Sequence, residues 1–155
     1  MGLTRRPPAT RARGSRTAAP WDGIPSGALV VVDTAPIIYL LEDHPTFARK
    51  FVGLFDAEAA GALRIAISSL TIAEVLAGPY KHGEEALARR YEKALNQFEV
   101  VPVDAVIAAS ASRLRARYGL KLPDAIQLAT ALETGAHALV THDRDFAKVQ
   151  GLLIL

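Results

Sequence analysis

The chain has 155 residues, half of them apolar and 22% charged, with a formal net charge of +2 and no cysteine. That length suits one domain with one core. The missing cysteine excludes disulfides, thiolate chemistry and Cys-rich zinc sites, and no run approaches the roughly 20 apolar residues of a membrane span. A reducing cytoplasm is the expected compartment.

The charge is uneven. Residues 1–28 carry Arg5, Arg6, Arg11, Arg13 and Arg16 against Asp22 alone, a balance of +4 that leaves −2 for residues 29–155. The arginines are followed by Pro, Gly, Thr and Ser instead of an apolar segment, so neither a Sec nor a twin-Arg signal is expected. The stretch reads as a basic, disordered extension, either a nucleic-acid-binding arm or a solvated tail, ahead of one domain over 29–155.

The first element is Leu29–Val32, an apolar, β-branched run typical of a strand buried on both faces, which ends at Asp33. A helical turn from Pro36 and a break at Asp43–Pro45 lead to an amphipathic helix from about Thr46. Its Phe47, Phe51, Leu54 and Phe55 recur at helical spacing, and Gly61 closes it. Leu63–Ile67 reads as a second strand, and the helix after it, containing Ile72, Val75 and Leu76, is expected to stop at Gly78-Pro79. A surface helix within Glu84–Phe98 precedes the strand Glu99–Val103, whose Pro102 suggests an edge.

Asp104 then caps a helix with Val106, Ala109 and Leu114 expected inward, and Gly119 closes it. Leu122-Pro123-Asp124 opens a helix that presents Ala125, Ile126, Leu128, Ala129 and Leu132 to the core and ends at Gly135. A fourth strand, Ala136–Thr141, precedes His142-Asp143-Arg144-Asp145-Phe146, and Leu152–Leu155 is a short last strand. Strand and helix alternate throughout. This predicts a single-domain, three-layer α/β/α fold with a mostly parallel central sheet of about five strands joined by right-handed crossovers.

Four carboxylates occupy comparable places in that pattern: Asp33 after the first strand, Glu74 early in the helix after the second, Asp124 at a helix start, and Asp143 after the fourth strand. Asp145 is a further, supporting acid. Each has a structural alternative. Asp33 can turn the chain or cap a helix, Thr71-Ile72-Ala73-Glu74 fits a capping box, Asp124 suits a helix N-terminus, and Asp143 can cap a short helix. In a parallel sheet, however, all strands end at one edge and the following helices start there, so the four acids can converge.

Two carboxylates about 4 Å apart repel by roughly 4 kcal/mol at an effective dielectric constant near 20, so such a cluster must take up protons or bind a cation. Oxygen-only ligands favour Mg²⁺ or Mn²⁺, which leave positions open for water and phosphate. Arg113, Arg115, Arg117 and Arg144 are candidates to offset the cluster's charge towards a phosphate. For the first three, interaction with a helix C-terminus is the alternative.

The segments VVVDTAPIIYLLEDHP, SSLTIAEVLAGP, LPDAIQLATAL and LVTHDRDF, in this order and spacing, resemble the PIN-domain ribonucleases, most closely the VapC-type toxins of toxin–antitoxin pairs, over about Leu29 to Leu155. The resemblance implies a Mg²⁺- or Mn²⁺-dependent endoribonuclease. Asp33 and Asp124 correspond to the principal metal ligands, and Glu74 and Asp143 to further acids acting directly or through water. Thr34 and Thr141 correspond to hydroxyl residues beside the site. His142 stands where the family usually has Asn. A homodimer and a cognate antitoxin protein are implied as partners. A structure-specific DNA nuclease and a PIN-like module that binds nucleic acid without cutting it are the alternatives. A receiver-like regulatory domain is a weaker one, because the late strands end in Thr141 and Leu155 where a lysine is expected.

Overall fold

A computed structural model describes residues 18–155. The five tail arginines lie outside the described residues. The disorder expected through residue 28 does not extend over 18–28: Pro20–Gly23 forms a 3₁₀ turn whose Trp21 packs on the core beside Gly53. An amphipathic indole with a helix face to cover is the physical reason.

Five strands, β1 (Leu29–Val32), β2 (Arg64–Ser68), β3 (Glu99–Val101), β4 (Ala138–Val140) and β5 (Leu153–Ile154), form one fully parallel sheet in the order β3-β2-β1-β4-β5. Helices α1 (Thr34–Leu41) and α2 (Ala48–Ala59) join β1 to β2, and α3 (Ser69–Lys81) and α4 (Glu85–Leu95) join β2 to β3. Helices α5 (Ala105–Tyr118) and α6 (Leu122–Glu133) cross back to β4, and a 3₁₀ segment, Arg144–Lys148, leads to β5.

The pleat sorts the core into two halves. Val30, Val32, Ile65, Ile67, Ala138 and Val140 pack with buried residues of α1 to α4, including Ile37, Phe51, Leu54 and Val75. Val31, Ala66 and Leu139, the intervening positions, pack with Ile107, Ala111, Leu128, Ala129 and Phe146 on the other face. The period of two in the strands therefore builds the three layers.

Connections from β1 run towards β3 on one face, whereas those from β3 return across the other face to β4. The strand order thus reverses between β1 and β4, which pair in register from Val30–Ala138 to Val32–Val140. The crevice beyond the carboxyl ends of such a pair is where open α/β sheets bind ligands.

Several expected boundaries shift for identifiable reasons. Helix α1 begins at Thr34, before Pro36, because Asp33 caps it. Helix α3 runs through Gly78-Pro79 to Lys81. The His82 backbone N–H donates to the Gly78 and Pro79 carbonyls, and the His82 ring meets the Gly78 carbonyl at 2.8 Å, so the last turn is closed despite the proline. Strand β3 stops at Val101 because Pro102 has no N–H to donate, and it does lie at a sheet edge. Strand β4 is confined to Ala138–Val140, and β5 to Leu153–Ile154, each shorter than its apolar run.

In α5 the inward ridge is Ile107, Ser110 and Ala111. Val106 is 59% exposed and Ala109 also faces water. The Asp104 carboxylate caps the helix by accepting the Ile107 N–H at 2.9 Å, and packing against α6 and the sheet selects the ridge of Ile107 and Ala111. Helix α6 is buried almost all round from Ala125 to Ala131 because the sheet lies on one side and α5 on the other. Leu132, 38% exposed, falls just outside that sandwich.

Candidate active site

Asp33 sits at the switch point. Its backbone N–H continues the sheet ladder by donating to the Val140 carbonyl at 2.9 Å, which sets it beside Thr141. One carboxylate oxygen accepts the Thr34 N–H at 2.7 Å and caps α1. The other accepts the Thr141 hydroxyl at 2.7 Å. One oxygen of the side chain therefore caps α1 while the other joins the ends of β1 and β4. Thr141 is bifunctional as well, its oxygen accepting the Asp143 N–H at 3.0 Å, while Asp143 accepts the Asp145 N–H at 2.8 Å and caps the 3₁₀ segment. The loop after β4 is thereby pinned to the end of β1.

Asp33 is only 8% exposed, and burial raises its pKa above the ordinary aspartate value. The hydrogen bonds from Thr141 and Thr34 oppose that rise, and the charges of Glu74 and Asp143 add to it. Asp124, half-buried in the first turn of α6, is also raised, first by burial and then by Asp143, Asp33 and Asp145, with Lys121 opposing. Asp124 thus feels the charge of Asp33, Asp33 that of Glu74, and both feel Asp143. Acids from four elements form one electrostatic unit at the carboxyl edge.

Glu74 arrives differently from the capping-box expectation. Helix α3 starts earlier, with the Ser68 hydroxyl accepting the Leu70 N–H at 3.1 Å, so Thr71 is a buried residue within the helix and not its cap. Glu74 lies a turn further in and accepts the Thr34 hydroxyl. Thr34 and Thr71 stand 3.2 Å apart, and the Gln127 side-chain N–H₂ donates to both, at 3.1 and 3.0 Å. Gln127 is 1% exposed, and its Oε1 has no partner among the described residues. This polar knot beneath the acids joins α1, α3 and α6.

A family model for the PIN domain matches residues 30–152, a span that contains all four acids. The chain belongs to the PIN-domain family. No curated protein matches the sequence. Among solved structures, the PIN domain is similar to a chain of a toxin–antitoxin complex from Klebsiella pneumoniae, at 32% identity over 80% of this chain and 95% of that one, with a TM-score of 0.63. It shares its fold with VapBC2 from Rickettsia felis bound to a DNA fragment from its promoter, at 22% identity, TM-score 0.68, covering 82% and 97% of the two chains. It also shares its fold with VapC20 from Mycobacterium tuberculosis, a sarcin-ricin loop cleaving toxin, at 18% identity, TM-score 0.59, covering 76% and 92%.

Among the described residues of this PIN domain, no three of the acids close into a ready-made metal cage. The donor set is made of carboxylate oxygens under mutual repulsion. It suits a hard cation that keeps several waters and is held by one or two carboxylates. Arg113, Arg115 and Arg117 are exposed on the last turns of α5. The start of α5, at Asp104–Ile107, shares a depression with Glu133 and Thr134, so α5 and α6 run antiparallel, and the arginine end of α5 leads into the end of α6 that carries Asp124. The Arg115 side chain donates to the Leu120 carbonyl at 3.5 Å, and Arg117 lies over Tyr118. Arg144 lines two depressions beside Asp143.

The sequence reading missed Gln127 and the role of Thr71. A glutamine in the apolar segment Ala125–Ala131, one turn after Asp124, was the available signal. Phe47, expected in the core with Phe51 and Phe55, is half-buried at the site's rim. There it packs against His142 at a centroid distance of 4.7 Å.

Proposed function

We propose that this PIN domain is a metal-dependent endoribonuclease that cleaves RNA phosphodiester bonds, the toxin of a VapC-type toxin–antitoxin pair. The observation that carries the reading is the coupling of Asp33, Glu74, Asp124 and Asp143 across the switch point, where two of the acids are already held above their ordinary pKa. The chain of a toxin–antitoxin complex that is 32% identical, and the sarcin-ricin loop cleaving toxin that shares the fold, support it.

Asp33 and Asp124 would hold Mg²⁺ or Mn²⁺, with Glu74 and Asp143 acting directly or through water. When bound, the ion supplies a water of lowered pKa and polarises the phosphodiester. The chain's own residues prepare the place. Thr141 orients Asp33, Thr34 holds Glu74 by its hydroxyl, and Gln127 fixes Thr34. Asp145 supports the loop through its N–H to Asp143, and Arg144 offsets the negative charge facing an RNA backbone. Arg113, Arg115 and Arg117 extend that positive field. A cognate antitoxin, a homodimer and a cytoplasmic location belong to the same proposal.

The test follows single-stranded RNA in Mg²⁺ or Mn²⁺ with the purified chain and its Asp33→Asn variant, alongside growth and RNA integrity in cells expressing each. Metal-dependent cleavage by the wild type alone is expected. Cleavage by the variant at the wild-type rate would remove Asp33 from the chemistry. RNA binding without cleavage would leave a binding module, and a preference for flap DNA would leave a DNA nuclease.

A further inference from the structure

Beside the acids lies a feature that the hydrolytic reading does not use. Tyr39 of α1, His44 and Phe47 ahead of α2, and His142 after β4 form a cluster of rings whose base is the buried Phe51. Tyr39 lies 5.0 Å from Phe47, 5.5 Å from His142 and 6.1 Å from Phe51 between centroids. Phe47 packs on His44 at 4.8 Å. The Tyr39 hydroxyl and His142 Nδ1 are 2.9 Å apart, and His44 Nδ1 accepts the Thr46 and Phe47 N–H groups, so these polar edges are satisfied within the protein. Apart from Phe51, all the rings are only half-buried.

Their surroundings indicate what covers them. Tyr39 and His142 line an open depression together with Ala35, Asp143 and Arg144, so one hollow combines aromatic wall, guanidinium and a member of the acidic unit. On the other side of the His142–Arg144 segment a second depression adds Lys50, whose ammonium stands 5.1 Å from the Phe47 ring centroid. Partly bare rings flanked by cations at the mouth of a phosphodiester-cleaving site match a nucleotide. The unstacked base covers the ring surface while its phosphates meet the cations.

We infer that Tyr39, Phe47 and His142 form a stacking platform for a nucleobase of single-stranded RNA next to the scissile phosphate. The inference rests on the nuclease reading above and adds the substrate feature that the site grips: an unpaired base instead of the backbone alone. Tyr39 and His142 bind substrate here and take no part in bond breaking.

The test separates base from backbone in the full-length chain, with Asp33→Asn as background to prevent cleavage. Fluorescence anisotropy measures binding of a uridine 12-mer and of an abasic ribose-phosphate 12-mer of equal charge, in Mg²⁺. The uridine oligomer is expected to bind about tenfold more tightly. His142→Ala and Tyr39→Ala should abolish that preference while leaving the abasic affinity within about twofold, and His142→Phe, which keeps a ring, should retain it. A merely structural clasp would weaken both oligomers together. Equal binding of the two by the background protein overturns the platform. So does a preference that survives both alanine variants. Binding of neither oligomer overturns the nuclease reading itself and the platform with it.

Discussion

The Thr141 hydroxyl donates to the Asp33 carboxylate at 2.7 Å, joining residues 108 positions apart at the point where the strand order reverses. This one bond ties the ends of β1 and β4 and holds one of the two buried carboxylate oxygens, while the Thr34 N–H holds the other. An aspartate gripped on both oxygens yet still raised in pKa is dominated by its burial, to which the neighbouring acids add. Such a group is poised for a cation.

Replacing it has two opposite consequences. On the proposed mechanism, Asp33→Asn is expected to lower metal-dependent RNA cleavage by at least about a hundredfold, since it removes a charge from the metal site. In the metal-free protein at neutral pH the same change should raise stability by about 1 kcal/mol, a gain of roughly 2–4 °C in Tm, because a buried, repelled charge is gone. Calorimetry in EDTA decides; a clear fall in Tm would mean that the carboxylate is a net stabiliser.

The pH dependence follows with its sign. Asp33 and Asp124 have raised pKa values in the fold, so between the ordinary aspartate range and those raised values the folded chain holds more protons than the unfolded one. Their contribution to stability is therefore most favourable at low pH and declines as pH rises through that window, the reverse of a salt-bridged acid. Tm measured in EDTA should show this decline in wild type, and less of it in Asp33→Asn. Millimolar Mg²⁺ or Mn²⁺ at neutral pH should restore Tm in the wild type by binding the folded state alone.

The polar knot beneath the site makes an ordering testable. Thr34→Val strands a Gln127 N–H and removes the hydroxyl from Glu74, and is expected to cost about 1–3 kcal/mol. Gln127→Leu removes the donor together with the unpartnered Oε1, and should cost less, about 1 kcal/mol. Urea denaturation of both variants measures the order, and a larger loss for Gln127→Leu would contradict the hydrogen-bond assignment.

Trp21 is the chain's one tryptophan and reports on the segment before β1. A Cβ at Gly53 would stand 3.0 Å from the indole nitrogen and 3.3 Å from a ring carbon. Gly53→Ala should unseat Trp21 and shift its emission to the red. Overall stability should change little, because alanine regains about 1 kcal/mol of helix propensity. Unchanged emission would mean that the indole does not pack there.

Much of this was legible in order along the chain. The β-branched run ending at Asp33, the Asp104 cap, the left-handed Gly119 and the alternation of strand and helix depend on neighbours within a few residues, and local chemistry decides them. The four acids were visible too, because a parallel sheet returns every strand end to one edge.

What the chain alone left open depends on partners distant in sequence. Glu74 reads as half of a capping box until Ser68 is seen to start α3 and Thr34, 40 residues earlier, to take the carboxylate. Val106 and Ile107 are both apolar and β-branched, and only packing against α6 and the sheet chooses which is buried. Phe47 has the helical spacing of a core residue. Its place at the rim is set by His142, brought back by a strand that follows more than 80 residues later. The sequence by itself determined the layers and the acids, since periodicity and caps are local. The tertiary structure decided which hydroxyl each acid meets and which rings stay open beside them, because those contacts exist only once distant elements pack.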